Sequence, residues 1–249
     1  KHQLLNDIEQ RISNIPNNIE WIEPFCGSLV VSLHFLKKSP VYIRHFHVND
    51  LNTHLVRFFT DIQNITNLSQ TEQIFKQYIQ RYEQDSNMYY ELRNTFNDSQ
   101  HIPPHEYIAL FLFINRTCFN GVSRYNKSGK FNVPLGKIKP NWTEILNKLN
   151  EVHHDLHHTY RHKITFYNLP YDVFIKERLN AAQDTKLFVY CDPPYDNTFN
   201  TYNKTSFEKD DQHNLFTILH EDVHQYNHLF LVHNSNNERI QSLYNAHHQ

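Results

Sequence analysis

The chain has 249 residues, enough for one large domain or two modest ones. Cys26, Cys118 and Cys191 lie in separate segments, so we expect reduced thiols and not a disulfide scaffold. No run approaches the roughly 20 apolar residues of a membrane span. Residues 1–10 lack the apolar region of a signal peptide, and we expect a cytoplasmic protein.

The net charge of -2 argues against a nucleic-acid partner, but the distribution of charge argues for one. No acidic residue occurs between Glu106 and Glu144. The basic residues of that interval are Arg116, Arg124, Lys127, Lys130, Lys137 and Lys139. This localised basic segment is typical of contact with a phosphate backbone.

Nineteen histidines raise the question of a metal site, above all in the segment 153–162. His153, His154, His157 and His158 could share a helix face, but their spacing matches no zinc pattern. We therefore interpret the segment as a polar helix and predict no metal.

The first part of the chain has the pattern of a parallel α/β unit. Residues 6–12 are predicted to be helical, 19–25 form a buried strand, and an apolar helix follows over 29–36. The strand at 42–48 ends in Asn49 and Asp50. A strand, a turn of small residues, a helix and a strand with a terminal acid open a parallel sheet.

The middle of the chain changes character, with helical spacing at 52–61, 70–82, 88–96 and 105–117 and no strands between. Residues 118–134 predict a hairpin that turns at Asn126-Lys127-Ser128-Gly129. The α/β pattern then resumes with a helix from 142 to about 158, strands at 163–167, 187–191 and 229–232, a mostly helical segment at 207–226 and a helix near Glu238. We predict an α/β sheet interrupted by a helical and hairpin subdomain.

The strongest local signal is the buried strand 187–191, which runs into Asp192, Pro193, Pro194 and Tyr195. Ligands of open α/β sheets bind at the carboxyl ends of strands. If Asp192 and the Pro193 carbonyl each accept a hydrogen from a conjugated amine, its lone pair can point at an electrophilic methyl group. The prolines fix the backbone and Tyr195 offers a stacking face, although Asp and Pro also favour an ordinary turn.

The tetrapeptide resembles the catalytic motif of the Dam-like DNA adenine-N6 methyltransferases, and three further motifs follow the order of that family. They are residues 23–28 (Glu-Pro-Phe-Cys-Gly-Ser), residues 49–52 (Asn-Asp-Leu-Asn), and the hairpin segments 119–126 and 131–136. The resemblance implies a Rossmann-like S-adenosylmethionine-dependent methyltransferase sheet. Residues 1–52 and 141–249 would form its catalytic domain and residues 53–140 its inserted target-recognition subdomain.

The resemblance also implies a set of residues for S-adenosylmethionine and its product S-adenosylhomocysteine. Leu29 stands where the family often has a second glycine, and Lys1 resembles the last residue of the family's glycine-rich N-terminal segment. The alternatives are a plain turn at residues 25–28, a helix N-cap at Asp50, and core positions for Phe166 and Tyr167. The predicted cofactor-binding residues are Lys1, Glu23, Pro24, Phe25, Gly27, Ser28, Asp50, Phe166, Tyr167 and Asp192.

By the same resemblance Arg124 would read a guanine, Val122 and Pro134 would contact bases, and Phe119 would fill the stack opposite a flipped adenine. The lysines would contact phosphates, and a solvated charged hairpin is the alternative. The predicted DNA-binding residues are Arg116, Phe119, Asn120, Val122, Arg124, Asn126, Lys127, Asn132, Pro134, Lys137 and Lys139.

We therefore expect a site-specific methyltransferase that acts on double-stranded DNA, at GATC by resemblance alone, as a monomer or weak dimer associated with the nucleoid. A restriction endonuclease partner is left open. Alternatives with the same chemistry would act on cytosine-N4, RNA adenine or a protein glutamine. A catalytically silent DNA-binding module is the alternative from another class.

Overall fold

The computed structural model describes residues 5–194, 207 and 209–245. Lys1 and Tyr195 lie outside these residues. The helices are α1 Leu5–Ile12, α2 Val30–Lys38, α3 Thr53–Asn64, α4 Ser69–Gln84, α5 Met88–Asn97, α6 Pro104–Thr117, α7 Trp142–His153, α8 Tyr171–Ala181, α9 Lys209–Thr217 and α10 Glu238–Asn245. The strands are β1 Ile19–Glu23, β2 Ile43–Asn49, β3 Ile164–Tyr167, β4 Leu187–Cys191 and β5 Leu229–Val232.

Two compact units make up the described chain. The sheet unit contains the described residues up to 56 and from 162 onward, and the second unit contains residues 57–161. The second unit therefore interrupts the sheet unit between β2 and β3. Its bounds differ from the predicted 53–140: it begins within α3, and it ends later because α7 and the segment after it cluster with the second unit. The division into catalytic and target-recognition parts stays a prediction.

The sheet unit confirms the predicted fold class. Its five described strands are all parallel, in the order β3-β2-β1-β4-β5. Trp21 of β1 packs on one face against Phe35, Phe188 and Tyr190. Its neighbour Ile22 joins the core on the other face, which α8, α9 and the π-helix Ile218–His224 cover. A parallel sheet buried on both faces requires the continuous apolar strands that the sequence has.

Most predicted elements of the sheet unit are confirmed, with ends shifted by a few residues, and β4 and β5 have the predicted bounds. Helix α8 was not predicted. Only Phe174 and Ile175 of this helix are buried, so its apolar pattern is weak. A helix is nevertheless expected there, because parallel strands need a crossover connection.

The predicted hairpin in the second unit is only partly confirmed. The turn is present, with Gly129 at a φ of 77°. The expected ladder is wrong, because only isolated antiparallel bridges form, Cys118 with Leu135 and Tyr125 with Phe131. Backbone hydrogen bonds at these two bridges join the arms, and side chains of α5 also bond to the backbone of the second arm.

The histidine-rich segment, unexplained by the sequence, has a structural role at the end of α3. The buried His153 donates from Nε2 to the Ile65 carbonyl at 3.0 Å, and His157 donates from Nδ1 to the Gln63 carbonyl at 2.9 Å. The last carbonyls of a helix lack partners within the helix. These two histidines satisfy such carbonyls where α7 continues into the π-helix His154–Thr159.

Replacement of His153 by Ala should lower the free energy of unfolding by about 1–3 kcal/mol, because the carbonyl of Ile65 loses its buried partner. His154→Ala is the matched control, since His154 is exposed, and should change it by less than about 0.5 kcal/mol. Urea unfolding of both variants measures the difference. Equal effects of the two substitutions would contradict the assigned role.

Candidate active site and nucleic-acid interface

The turn after β1 has an unusual backbone. Gly27 lies at a φ of 50°, and Leu29 lies in the left-handed region with φ 60° and ψ 12°. Its amide donates to the Cys26 carbonyl at 2.9 Å. A left-handed non-glycine residue costs about 1–3 kcal/mol. Leu29 is fully buried, and this burial offsets the cost, so the turn keeps a glycine-like conformation without a second glycine.

This turn is tied to the end of β2. The Gly27 amide donates to Asp50 Oδ2 at 2.9 Å, and the Asn52 amide donates to Asp50 Oδ1 at 2.9 Å. The Cys26 amide donates to the Asn49 carbonyl at 2.8 Å. Asp50 thus stabilises both the turn and the start of α3.

The buried Asn49 adds a second tie at the same strand end. Its side-chain amide donates to the carbonyls of Pro24 and Leu169, each at 3.0 Å, and its Oδ1 accepts the Leu169 amide at 2.9 Å. One side chain therefore joins the segments that follow β1 and β3. The buried Glu23, at the end of β1, accepts a hydrogen bond from the Ser32 hydroxyl of α2.

The two aromatics predicted to border the cofactor lie at the end of β3 and point to opposite faces. The Tyr167 hydroxyl lies 3.0 Å from His47 Nδ1 and accepts from Arg178 at 3.1 Å, while its ring packs on Phe174. Burial raises the pKa of Tyr167. This side chain belongs to the contact between the sheet and α8, whereas Phe166 is half-buried on the other face.

Phe25, in the turn after β1, has aromatic neighbours. Its ring centroid lies 5.4 Å from that of Tyr171 and 5.5 Å from that of Phe207, with Phe207 edge-on. The Tyr171 hydroxyl donates to the Asp211 carbonyl at 3.1 Å and accepts from the Asn214 side chain at 2.9 Å. Phe25 is therefore a packing anchor that joins the turn to α8 and the region of α9.

Asp192 lies at the tip of β4, next to β1 in the sheet. Its side chain is 5% exposed, and its Oδ1 lies 3.3 Å from Nδ1 of His233, which is 30% exposed. The His233 amide donates to the Cys191 carbonyl at 2.8 Å. Burial raises the pKa of the Cys191 thiol, and the neighbouring Glu23 and Asp192 carboxylates raise it further, which keeps this thiol neutral.

The backbone after Asp192 is held by a buried glutamine. Pro193 is buried and Pro194 is exposed. Gln212 of α9, fully buried, donates from Nε2 to the Pro194 carbonyl at 3.4 Å, and its Oε1 accepts from the Asn234 side chain at 3.0 Å. The tip of β4 is thus connected to α9 and to the segment after β5.

In the second unit, helix α5 holds the backbone of the hairpin. The Tyr89 hydroxyl and the Arg93 guanidinium both donate to the Val133 carbonyl, at 2.8 and 3.1 Å. Asn97 bonds to both the carbonyl and the amide of Phe131, at 3.1 and 2.7 Å. These three side chains are spaced four residues apart and share one face of the helix. We call Tyr89, Arg93 and Asn97 the α5 clamp.

The predicted DNA-binding residues all have exposed or half-exposed side chains. Phe119 and Val122, although apolar, are 46% and 45% exposed. Arg124 donates from Nε to Asn132 Oδ1 at 2.9 Å, which orients the guanidinium. Asn126 has a structural role as well, since its Oδ1 accepts from the amides of Ser128 and Lys130 in the turn. Lys139 lies 3.4 Å from Glu83, in an exposed ion pair.

Within the part of the chain that the structure describes, no cluster of three or more His, Cys, Asp or Glu side chains is arranged for a metal ion. Among the same residues, no helix has the length and apolar character needed to cross a membrane.

Residues 1–249 match the family described as D12 class N6 adenine-specific DNA methyltransferase. This chain belongs to that family. The retron Ec67 DNA adenine methylase of Escherichia coli is 33% identical over 235 residues, which are 93% of this methyltransferase and 74% of the relative. The type II methyltransferase M.MjaIII of Methanocaldococcus jannaschii is 30% identical over 229 residues, 85% and 73% of the two chains. A DNA adenine methylase of Escherichia coli is 30% identical over 227 residues, which cover 88% of this chain and 72% of the relative.

The structure of the methyltransferase brings together Gly27 and Asp50 and positions Asp192 directly after the strand that neighbours β1. Sequence reasoning missed His233 and Gln212. One signal for His233 was available: it directly follows a predicted parallel strand, so it had to lie at the same edge of the sheet as Asp192. Gln212 lies within a predicted helix, and nothing in the sequence distinguishes it from the polar residues around it.

Gly136→Ala should destabilise the methyltransferase by about 1–3 kcal/mol, because the new Cβ would lie 2.9 Å from the Cys118 carbonyl oxygen and 3.0 Å from that of Thr117. Gly129→Asn is the control and should cost less: its Cβ would have open space, so only the positive φ of 77° is strained, and Asn adopts such a φ more readily than most residues. Equilibrium unfolding in urea distinguishes the two variants. A Gly136→Ala variant as stable as Gly129→Asn would refute the close packing at the base of the hairpin.

Proposed function

We propose that this DNA adenine methyltransferase acts at GATC in duplex DNA and methylates an adenine that has been rotated out of the helix. In this mechanism Asp192 and the Pro193 carbonyl orient the adenine amine. Tyr195, outside the described residues, stacks on the base. The observation that carries the proposal is the Asp192 carboxylate at the tip of β4, beside the strand whose following turn is tied to Asp50.

The family implies S-adenosylmethionine as the methyl donor, and the residues at the ends of β1 and β2 fit it. The turn at Gly27 allows close approach of the backbone, and Asp50 supplies carboxylate oxygens suited to hydroxyl groups. Glu23, Pro24, Phe25 and Ser28 would form the rest of this site, with Phe166 beside it. When bound, the cofactor supplies an electrophilic methyl group.

The chain's own contribution is to prepare the nucleophile. The amino nitrogen of adenine is a poor nucleophile, because its lone pair is delocalised into the ring. Two acceptors, the Asp192 carboxylate and the Pro193 carbonyl, would bind its two hydrogens and free the lone pair for an in-line attack. Pro193 and Pro194 restrict the backbone torsions, so the carbonyl keeps its direction.

The hairpin would select the target. Arg124, oriented by Asn132, matches the two acceptors on the major-groove edge of guanine. Phe119 and Val122 are exposed apolar side chains, which suits contact with bases and the filling of a vacated stack. Arg116, Asn120, Lys127, Lys137 and Lys139 would contact the DNA around them, together with Asn126 and Pro134. The GATC sequence itself rests on the resemblance of the hairpin motifs.

We further propose that the enzyme works on nucleoid DNA in the cytoplasm as a monomer or weak dimer, either alone or beside a restriction endonuclease. Both settings use the same chemistry, so they do not affect the roles proposed for the residues.

Asp192→Ala should abolish methylation while the affinity for DNA changes little, because the substitution removes an acceptor for the amine. Transfer of a labelled methyl group to a GATC duplex, compared with the same duplex already methylated, measures the activity. Asp184→Ala, an exposed acid near the other end of β4, is the control and should retain full activity. Turnover by Asp192→Ala would defeat the mechanism.

Arg124→Ala should weaken discrimination at one base pair by about 1–3 kcal/mol, since it removes a bidentate contact. Lys127→Ala, on the exposed turn, should instead weaken binding to all sequences alike and reduce the slope of log K against log salt by about 0.9. Binding to duplexes with single substitutions in the site, titrated over salt, tests both. The hairpin assignment fails if Arg124→Ala keeps the full preference.

A further inference from the structure

His233 is fixed in the sheet unit by both its backbone and its ring. It directly follows β5, and its amide donates to the Cys191 carbonyl at 2.8 Å, so the β4–β5 pairing continues by one residue. This bond brings the imidazole beside the residue that follows β4, where Nδ1 lies 3.3 Å from Asp192 Oδ1. The position of the ring therefore follows from the register of the sheet.

The Asp192 carboxylate determines which nitrogen of the His233 ring carries a hydrogen. A carboxylate oxygen is the acceptor, so in this hydrogen bond Nδ1 of His233 is the donor and carries the hydrogen. The bond engages one of the two oxygens of Asp192. Rotation about the bond between Cβ and the carboxyl carbon is broad in aspartate. A donor at Oδ1 restricts this rotation and leaves Oδ2 in a defined direction.

A second connection holds the same region. Asn234, the residue after His233, bonds to Gln212, and Gln212 bonds to the Pro194 carbonyl. His233 thus holds the side chain of Asp192, and Asn234 holds the Pro194 carbonyl through Gln212. Both groups that would accept hydrogens from the amine, on Asp192 and Pro193, lie between these attachments.

We propose that His233 is a positioning residue for methyl transfer, which orients the Asp192 carboxylate through the hydrogen bond from Nδ1 to Oδ1. The inference rests on the proposed role of Asp192. His233 need not touch the adenine or the cofactor. Its effect should appear in the rate of the chemical step, because a small misplacement of an orienting group lowers the fraction of complexes aligned for attack.

The test uses the full chain with saturating S-adenosylmethionine and a GATC duplex, in single-turnover reactions. His233→Ala should slow methyl transfer about tenfold or more, with the Kd for DNA changed less than about twofold. His233→Asn should restore the rate to within about threefold of the parent, because its side-chain NH2 can take the place of Nδ1–H. Circular dichroism and urea unfolding establish that each variant is folded.

His228→Ala is the matched control. His228 accepts a hydrogen bond on Nδ1 from the Leu187 amide, at 3.2 Å, at the opposite end of β4. Its loss can lower stability but should leave the single-turnover rate within about twofold of the parent, because it is remote from the tip of the strand. A rate loss in His228→Ala as large as that in His233→Ala would assign both effects to a general weakening of the sheet and overturn the inference.

The outcomes separate this inference from the proposed function. If Asp192→Ala is inactive while His233→Ala transfers methyl groups at the parental rate, the positioning role is refuted and the role of Asp192 stands. The positioning role is equally refuted if His233→Asn is as slow as His233→Ala, or if the loss lies only in DNA affinity. Activity in Asp192→Ala would instead overturn the proposed function.

Discussion

The parallel pairing of β1 with both β2 and β4 determines where the site can be. All three strands point the same way, so the segments that follow them emerge at one edge of the sheet. Three features occupy the first positions after these strands: the turn with Gly27, Asp50 and Asp192. In sequence they are up to about 165 residues apart. The hydrogen bond from the Gly27 amide to Asp50 then ties the first two together.

Much of the sheet unit was predictable because buried parallel strands have a simple signature. The apolar runs 187–191 and 229–232 were bounded correctly, since charged and turn residues flank them. Helix α8 was not predicted, because Phe174 and Ile175 alone give no helical period. The left-handed Leu29 was equally hidden, because its conformation depends on burial that only the folded chain supplies.

The candidate site was predictable where a motif follows a strand and unpredictable where contacts come from elsewhere in the chain. Asp50 and Asp192 were found from their positions at strand ends. Gln212 was not, because its partners, the Pro194 carbonyl and Asn234, are distant in sequence and of ordinary residue types. In the second unit the same limit applied to His153, whose bond to Ile65 spans 88 residues.

The α5 clamp has a consequence for how target sequence could change among related enzymes. It grips main-chain atoms of Phe131 and Val133, whose side chains are buried, and leaves the exposed side chains of the hairpin out of its bonds. Residues such as Val122 can therefore be replaced without loss of the hydrogen bonds that hold the hairpin backbone. A library restricted to the exposed positions, with Tyr89, Arg93 and Asn97 kept, would test their proposed role in base preference on an unchanged framework.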